Sequence, residues 1–320
     1  MKTPIQKLNS FSRENQIYIK REDLLPLSFG GNKVRLAYCF VKDMKKKNAD
    51  CIIGYGSSFS NLIRALSNVC CSENIPCYIV VSDDNNGKKT SNFLLTELSE
   101  AKIITTDKSK VKETLDSLFL QLRSKGLTPY YIYGNSAGKG NYDVPAEAYF
   151  NVYKEILEQE QELKTVFDYV FLASGTGMTQ SGLLCGKGVF GGPEIIGISV
   201  ARESDIGKRK IQLYAEEFIK NKTCFLDKHS IVQTIRSNLI FLDDYIEGGY
   251  GKINHQIYKV VKDLYKNEGI SADCIYVGKA FWGMMRYLKK EKITEKNVLF
   301  IHTGGTPIFF DSLNEKGLYE

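Results

Sequence analysis

The stretch that decides the fold is YVFLASGTGMTQSGLL, residues 169–184. An apolar run is followed by a glycine-rich turn and then by a segment with helical character. Similar apolar runs, each followed by a polar or glycine-rich turn, lie at residues 51–54, 77–81, 102–104, 130–133, 195–198 and 298–301. Short β-branched strands that alternate with helices favour parallel sheets covered by helices. We therefore predict an α/β fold with open, mostly parallel sheets flanked by helices.

The turn within that stretch, residues 174–179 (SGTGMT), has the features of an anion site. Ligands of open α/β sheets bind beyond the carboxyl ends of the strands. Backbone N–H groups, the positive end of the next helix and threonine hydroxyls together suit a phosphate monoester. The pattern is neither a P-loop nor the dinucleotide GxGxxG motif, and a plain strand-to-helix turn is the alternative. The predicted phosphate-binding residues are Gly175, Thr176, Gly177, Met178 and Thr179.

Two other turns carry polar side chains that suit a reaction centre. Lys33 follows Gly30 and Gly31 closely, and backbone packing against a cleft would desolvate its amine. A desolvated lysine has a lowered pKa and is a usable nucleophile, whereas the alternative is a solvated lysine in a glycine turn. Ser60 and Asn61 lie between a strand and a predicted helix. They can hold a substrate carboxylate, or simply cap that helix.

Composition limits the class of protein. The 320 residues are 43% hydrophobic and 25% charged, which is typical of a soluble globular protein with two lobes. The net charge of +6 comes from scattered lysines without a basic stripe, so we expect no nucleic-acid partner. Eight cysteines without CxxC spacing indicate a reducing cytoplasm and no metal site. We find no signal-peptide pattern and no apolar run of about 18 residues, and expect no membrane partner.

Further motifs occur in the order seen in one family: KRED (20–23), GGNKVR (30–35), SN (60–61), GGYG (248–251), EGI (268–270), YVGKA (276–280) and HTGGTP (302–307). From about residue 20 to residue 307, the chain resembles the 1-aminocyclopropane-1-carboxylate deaminase and D-cysteine desulfhydrase family. That family consists of fold-type II enzymes that depend on pyridoxal 5'-phosphate (PLP). The resemblance implies PLP as cofactor, a small amino acid as substrate, and a homodimer.

We predict two domains with a cleft between them that closes on the substrate. The larger, PLP-binding domain comprises residues 1–37 and 136–320, and the smaller domain, residues 38–135, is inserted into it. The resemblance places the family's phosphate cradle on residues 175–179, the same turn that the anion-site argument selects.

The resemblance also implies roles for individual side chains. Lys33 matches the lysine that forms the Schiff base with PLP. Asn61 matches the residue that contacts the ring hydroxyl of PLP, and Ser60 the residue that handles the substrate carboxylate or a proton. Tyr250 and Tyr276 match two tyrosines that face the substrate, where a hydroxyl can act as acid or base.

Departures from the family pattern bear on the activity. Val277 stands where ring-opening deaminases carry a glutamate that pairs with the pyridine nitrogen, so we expect the Thr303 hydroxyl to make that contact. A neutral pyridine is a weaker electron sink, which suits β-elimination better than prolonged carbanion chemistry. Phe59 and Leu62 replace a glutamine and a histidine, which predicts a more apolar substrate end. Residues 36–38 also differ, and we expect that change to affect helix packing.

The sequence thus predicts a lyase or deaminase that converts a small amino acid to a 2-oxo acid and ammonia by α,β-elimination, closer to D-cysteine desulfhydrase than to the deaminase. A β-replacement synthase is one alternative, because Phe59 and Leu62 would keep water from a reactive intermediate. A non-catalytic PLP carrier is another, although it would not need Tyr250 and Tyr276. Motif spacing does not report the identity of the substrate or its configuration.

Overall fold

Residues 1–82 and 89–313 are described by a computed structural model of the chain. The strands of these residues are β1 (Ile5–Lys7), β2 (Gln16–Arg21), β3 (Cys51–Gly56), β4 (Cys77–Val81), β5 (Lys102–Thr105), β6 (Pro129–Tyr131), β7 (Tyr169–Ser174), β8 (Glu194–Ser199), β9 (Ile240–Leu242) and β10 (Asn297–His302). All seven apolar runs identified in the sequence form strands, whereas β1, β2 and β9 were not predicted.

The α-helices of the described residues are α1 (Asn32–Lys46), α2 (Asn61–Ser72), α3 (Ser91–Leu98), α4 (Val111–Ser124), α5 (Val144–Leu163), α6 (Met178–Phe190), α7 (Ser204–Asn221), α8 (Lys228–Ser237), α9 (His255–Glu268), α10 (Val277–Lys290) and α11 (Thr306–Ser312). Among them, no helix combines the length and the apolar character needed to cross a lipid bilayer.

The strands form two sheets in the described part of the chain. The larger sheet has the order β1-β2-β10-β7-β8-β9, and only the β1–β2 pair is antiparallel. The smaller sheet has the order β5-β4-β3-β6 and is entirely parallel. Parallel neighbours require helical crossovers that cover the sheet faces, which explains the alternation in the sequence. The predicted α/β fold with open, mostly parallel sheets is confirmed.

The smaller sheet is built by strands between residues 51 and 131, which fall inside the range predicted for the inserted domain. The larger sheet takes strands from both sides of that range, since β2 pairs with β10. The exact boundaries, residues 38 and 135, stay a prediction. Leu36 and Ala37 of α1 are fully buried in the core, where they affect helix packing as expected.

Close packing of α6 against α5 positions the glycine-rich turn. At Gly182 a Cβ atom would lie 2.4 Å from the carbonyl oxygen of Ala146, and at Gly186 it would meet the ring of Tyr153 at 2.3 Å. Only glycine allows this approach, because real side chains do not tolerate such distances. The N-terminus of α6, with the turn that precedes it, is thereby fixed at the end of β7.

Candidate active site

A cavity of about 760 Å³ opens at the carboxyl ends of strands from both sheets. Its walls come from the segments that follow β3, β7, β8 and β10, in agreement with the rule for open α/β sheets. All but one of the predicted site residues line it: Lys33, Ser60, Asn61, Gly175, Thr176, Gly177, Thr179, Tyr250, Tyr276 and Thr303. Residues far apart in the chain therefore converge on one place.

Three residues that the sequence interpretation used do not line this cavity. The side chain of Met178 is 1% exposed and packs in the core, so only its backbone can serve the phosphate cradle. Phe59 is absent from the lining, and its carbonyl accepts a hydrogen bond from Asn92 instead. Val277 is fully buried as the first residue of α10. Of the two apolar replacements in the serine turn, only Leu62 touches the cavity.

Lys33 reaches the cavity because two glycines bring its backbone against neighbouring chain. Gly30 and Gly31 have φ angles of 63° and 98°. A Cβ at Gly30 would lie 2.2 Å from the carbonyl oxygen of Asp23, and one at Gly31 would lie 2.9 Å from that of Thr303. Positive φ and such close contacts both require glycine. The turn therefore holds Lys33 beside the loop that carries Thr303.

The environment of Lys33 favours the neutral amine. Burial, followed by the positive charge of Arg202, lowers the pKa of Lys33 to about 8. An ordinary lysine would be almost fully protonated near neutral pH, and a protonated amine has no lone pair to attack a carbonyl. A perturbed lysine in a cavity is typical of a functional site.

A buried ionic cluster fixes the helix that begins beside Lys33. The Glu22 carboxylate is fully buried and accepts hydrogen bonds from Arg35 at 2.7 and 2.9 Å, from Tyr149 at 2.8 Å and from Thr3 at 2.6 Å. Burial opposes ionisation of Glu22, but the Arg35 guanidinium outweighs it and holds the pKa below the ordinary value. Because Arg35 lies on α1 two residues after Lys33, the cluster sets the orientation of that helix.

The glycine-rich turn forms the predicted concavity. Gly177, with a φ of 88°, precedes α6, whose first backbone N–H groups have no acceptor within the helix. The Thr179 hydroxyl accepts a hydrogen bond from the side-chain amide of Asn32 at 2.8 Å, which links the turn to the lysine segment. The Ser174 hydroxyl is buried, and no described residue forms a hydrogen bond with it. A buried hydroxyl is costly unless something satisfies it, and a ligand oxygen in the turn would do so.

The charges of the cavity wall have one sign. Among the described residues that line it, none is Asp or Glu, whereas the cations are Lys33, Lys108, Lys112, Arg202 and Lys210. A wall of this kind attracts anions. The sequence interpretation placed Ser174 in the anion-binding turn but not among the binding residues, and it did not single out Arg202. Each stands at or just after the carboxyl end of a parallel strand, which is the available signal.

Ser60 and Asn61 begin α2 and present donors to the cavity. The Ser60 hydroxyl accepts from the backbone N–H groups of Leu62 and Ile63, so it caps the helix as the simpler interpretation expected. Its hydroxyl hydrogen is still available for an anion at the positive end of α2. The Asn61 carbonyl oxygen accepts from the Asn92 amide at 3.1 Å, which leaves the Asn61 amide nitrogen as the donor. Capping and ligand binding are therefore compatible here.

Two tyrosine residues that also line the cavity are linked through their hydroxyls. The Oη atoms of Tyr250 and Tyr276 lie 2.7 Å apart. Burial, then the proximity of Tyr250, raises the pKa of Tyr276 well above its ordinary value. The buried ammonium of Lys279 donates to the carbonyl oxygens of Ile246 at 2.9 Å and Gly249 at 3.1 Å. Lys279 thus ties the loop that carries Tyr250 to the helix that follows Tyr276.

Comparison with known proteins decides the family. The family model described as "Pyridoxal-phosphate dependent enzyme" matches residues 1–304. The chain belongs to this family. The enzyme is 32% identical over 314 residues to "Putative 1-aminocyclopropane-1-carboxylate deaminase" of Pyrococcus abyssi, with 96% of this chain and 90% of that protein covered. It is 28% identical over 319 residues to D-cysteine desulfhydrase of Yersinia enterocolitica, with 96% and 92% covered.

A solved structure supports the same assignment. The crystal structure of an ACC deaminase homologue superposes with a TM-score of 0.83 at 27% identity, and the match covers 98% of this enzyme and 93% of that chain. The predicted family, the fold-type II architecture and the PLP cofactor are confirmed. The enzyme is therefore a PLP-dependent enzyme of the lyase and deaminase group.

The residues present fit PLP. Lys33 supplies an amine with a lowered pKa, and the turn after β7 supplies N–H donors and the unsatisfied Ser174 hydroxyl for a phosphate. Asn61 can donate to an oxygen of the ring. Thr303 lines the cavity, and its backbone packs next to Gly31, so its hydroxyl would be the group to contact the pyridine nitrogen. The roles of the individual residues stay predictions.

The segment that carries Thr303 is itself held by a neutral histidine. His302 is fully buried, and burial is the main reason that its pKa is lowered. Its Nδ1 atom accepts from the Gly304 N–H at 3.2 Å, so Nε2 carries the hydrogen that it donates to the Ser271 carbonyl at 2.7 Å. Both ring nitrogens are used, which fixes the turn on either side of Thr303.

Proposed function

We propose that this enzyme catalyses α,β-elimination on a small amino acid with a β-thiol, in the manner of D-cysteine desulfhydrase, and releases a 2-oxo acid, ammonia and sulfide. Cysteine and water balance these products as pyruvate, ammonia and hydrogen sulfide. Homodimerisation, which the family resemblance implies, is part of the same proposal and can be tested by sedimentation.

The observation that carries the proposal is the absence of a carboxylate from the described cavity wall. The residue at the position of the deaminase glutamate, Val277, is buried in the core, whereas Thr303, which carries a hydroxyl, lines the cavity. A hydroxyl cannot keep a pyridine nitrogen protonated as a carboxylate does. Elimination tolerates this, because the departing β-substituent removes the negative charge that develops at the α-carbon.

Bound PLP supplies the electron sink that makes the α-proton of the amino acid acidic. Lys33, whose pKa is lowered to about 8, is the base that we expect to take this proton, since the lower pKa increases the neutral fraction of its amine. The Ser60 hydroxyl and the positive end of α2 suit the substrate carboxylate. Tyr250 and Tyr276 line the same cavity and form a hydrogen-bonded pair of hydroxyls, from which we expect a proton to be delivered to the leaving thiolate.

The β-replacement synthase is not supported as a second function. It rested on an apolar pair at Phe59 and Leu62, and only Leu62 lines the cavity. A carrier without activity would leave unexplained why Lys279 holds the loop of Tyr250 so that two tyrosine hydroxyls meet in the cavity.

The test is to incubate the PLP-loaded enzyme separately with D-cysteine, L-cysteine, D-serine, L-serine and 1-aminocyclopropane-1-carboxylate, and to assay 2-oxo acid, ammonia and sulfide. We expect equal amounts of the three products from one cysteine enantiomer without any second substrate. The variant K33A should form none. Sulfide release that requires an added nucleophile would mean a synthase, and turnover of the cyclopropane substrate alone would mean a deaminase.

A further inference from the structure

We propose that Arg202 is a cofactor-binding residue, whose guanidinium binds the PLP phosphate beside the glycine-rich turn. Neither the sequence motifs nor the comparisons assign it a role. The proposal concerns the cofactor alone and holds for any amino-acid substrate.

The position of Arg202 is built into the fold. Its backbone is held by Ser199 at the end of β8, because the Ser199 hydroxyl accepts from the Arg202 N–H at 3.0 Å and donates to the Arg202 carbonyl at 2.6 Å. Ser199 is fully buried. The strand that it ends, β8, lies beside β7, which leads into the turn. Arg202 therefore starts from a rigid point next to the phosphate cradle.

The side chain of Arg202 points to the turn itself. Its Nη1 atom donates to the carbonyl oxygen of Gly175 at 2.8 Å, and both residues line the cavity. A guanidinium has five N–H donors, so the remaining ones are available for a ligand in the turn. Their planar arrangement suits two oxygens of one phosphate.

Charge balance in the cavity supports the same assignment. Arg202 makes no ion pair within 4 Å with any described residue, and no described Asp or Glu lines the cavity. The turn, residues 174–179, offers neutral donors only. A phosphate monoester carries close to two negative charges near neutral pH. Among the cations of the described wall, Arg202 is the one with a side-chain hydrogen bond to the turn, so its charge is placed to balance them there. The charge of Arg202 also contributes to the lowered pKa of Lys33.

The test compares two probes, PLP and pyridoxal, which lacks the phosphate. The apoenzyme is titrated with each, and binding is followed by the absorbance of the Schiff base. In R202Q, we expect affinity for PLP to fall by about tenfold to a hundredfold, as for loss of a charged hydrogen bond. Affinity for pyridoxal should not fall in parallel. The ratio of the two affinities cancels any change in the amine of Lys33, because both probes react with it.

The matched control is R209Q. Arg209 is exposed on α7 and lies outside the cavity wall, so this variant removes the same charge without touching the turn. In R209Q, the ratio of the affinity for PLP to the affinity for pyridoxal should equal that of the unmodified enzyme. An equal fall in R209Q would mean that net charge, and not Arg202, determines the ratio, and it would overturn the proposal.

Other outcomes are equally decisive. An unchanged ratio in R202Q, or a parallel loss of affinity for PLP and pyridoxal, would overturn the proposal, since the second result indicates a structural role only. Should R202Q not fold, R202K serves instead. Lysine keeps the charge but loses the planar pair of donors. The ratio of the affinity for PLP to the affinity for pyridoxal should therefore fall by about threefold. A ratio in R202K equal to that of the unmodified enzyme would overturn the proposal as well.

Discussion

The hydroxyl oxygens of Tyr250 and Tyr276 lie 2.7 Å apart in the cavity wall, although the two residues are 26 positions apart in the chain. Tyr276 immediately precedes α10, and Tyr250 lies in a loop with positive φ at Gly248, Gly249 and Gly251. Because the pKa of Tyr276 is raised, it remains protonated across the physiological range. The pair therefore carries a proton that it can present to a leaving group through a hydrogen bond.

Replacement of Tyr276 by Phe should slow elimination without loss of the cofactor. We expect kcat for the reactive cysteine enantiomer to fall by about a hundredfold, the usual contribution of a general acid, while the Schiff-base absorbance of bound PLP is unchanged. Y265F is a matched control, because Tyr265 is exposed and packs its ring against Phe309 away from the cavity. Full activity in Y276F would show that this hydroxyl takes no part in the reaction.

Lys279 is expected to act through Tyr250. In K279M the loop loses the two hydrogen bonds to Ile246 and Gly249, so kcat should fall about as far as it does in Y250F. The double variant K279M/Y250F should have the same kcat as Y250F alone, because the effects of substitutions at coupled residues do not add. K289M, an exposed change on the same helix, should behave as the unmodified enzyme. Additive losses in the double variant would contradict this role.

The reactivity of Lys33 should depend on pH with a midpoint near 8. Below about pH 8 the amine is protonated and does not attack an aldehyde, whereas above it the neutral amine prevails. The rate at which the apoenzyme forms a Schiff base with pyridoxal should therefore rise through this region and then level off. In R202Q the midpoint should move upward, since removal of a nearby positive charge favours the protonated amine. A midpoint near the ordinary lysine value in the unmodified apoenzyme would contradict the burial of Lys33.

Loss of the Glu22 carboxylate should destabilise the protein. In E22Q, Arg35 keeps its charge but loses its fully buried partner, and we expect the free energy of unfolding to fall by about 3 kcal/mol. Urea denaturation of the apoenzyme measures this. E162Q, which removes an exposed partner of Lys2, should change stability little. The Glu22 contribution is present above its unfolded pKa and is lost as the pH falls through its lower folded pKa, so the difference between variants should shrink in acid.

The sequence predicted the parts of the fold that local pattern controls. The seven apolar runs became strands, but β9 has only three residues and β2, QIYIKR, is partly polar, so neither gave a clear signal. The site residues inside family motifs converged on one cavity. Arg202 was not identified, and Lys279 was noted only as part of the YVGKA motif, because their contacts join segments 27 and 33 residues apart, which no local pattern reports. Phe59 was misjudged for the same reason, since only the three-dimensional structure shows which side of the turn faces the cavity.

The assignment of Lys33 as the Schiff-base residue is tested most directly by borohydride reduction of the PLP-loaded enzyme. The modified lysine is then identified by peptide mass spectrometry. Four lysines of the described residues line the cavity and are possible sites, namely Lys33, Lys108, Lys112 and Lys210. We expect a phosphopyridoxyl group on Lys33 alone, and no such group on any of these residues in K33A. Modification of Lys108, Lys112 or Lys210 in place of Lys33 would contradict the proposed site. The catalytic base, the position of the cofactor and the role of Arg202 are all assigned on the basis that PLP is bound to Lys33.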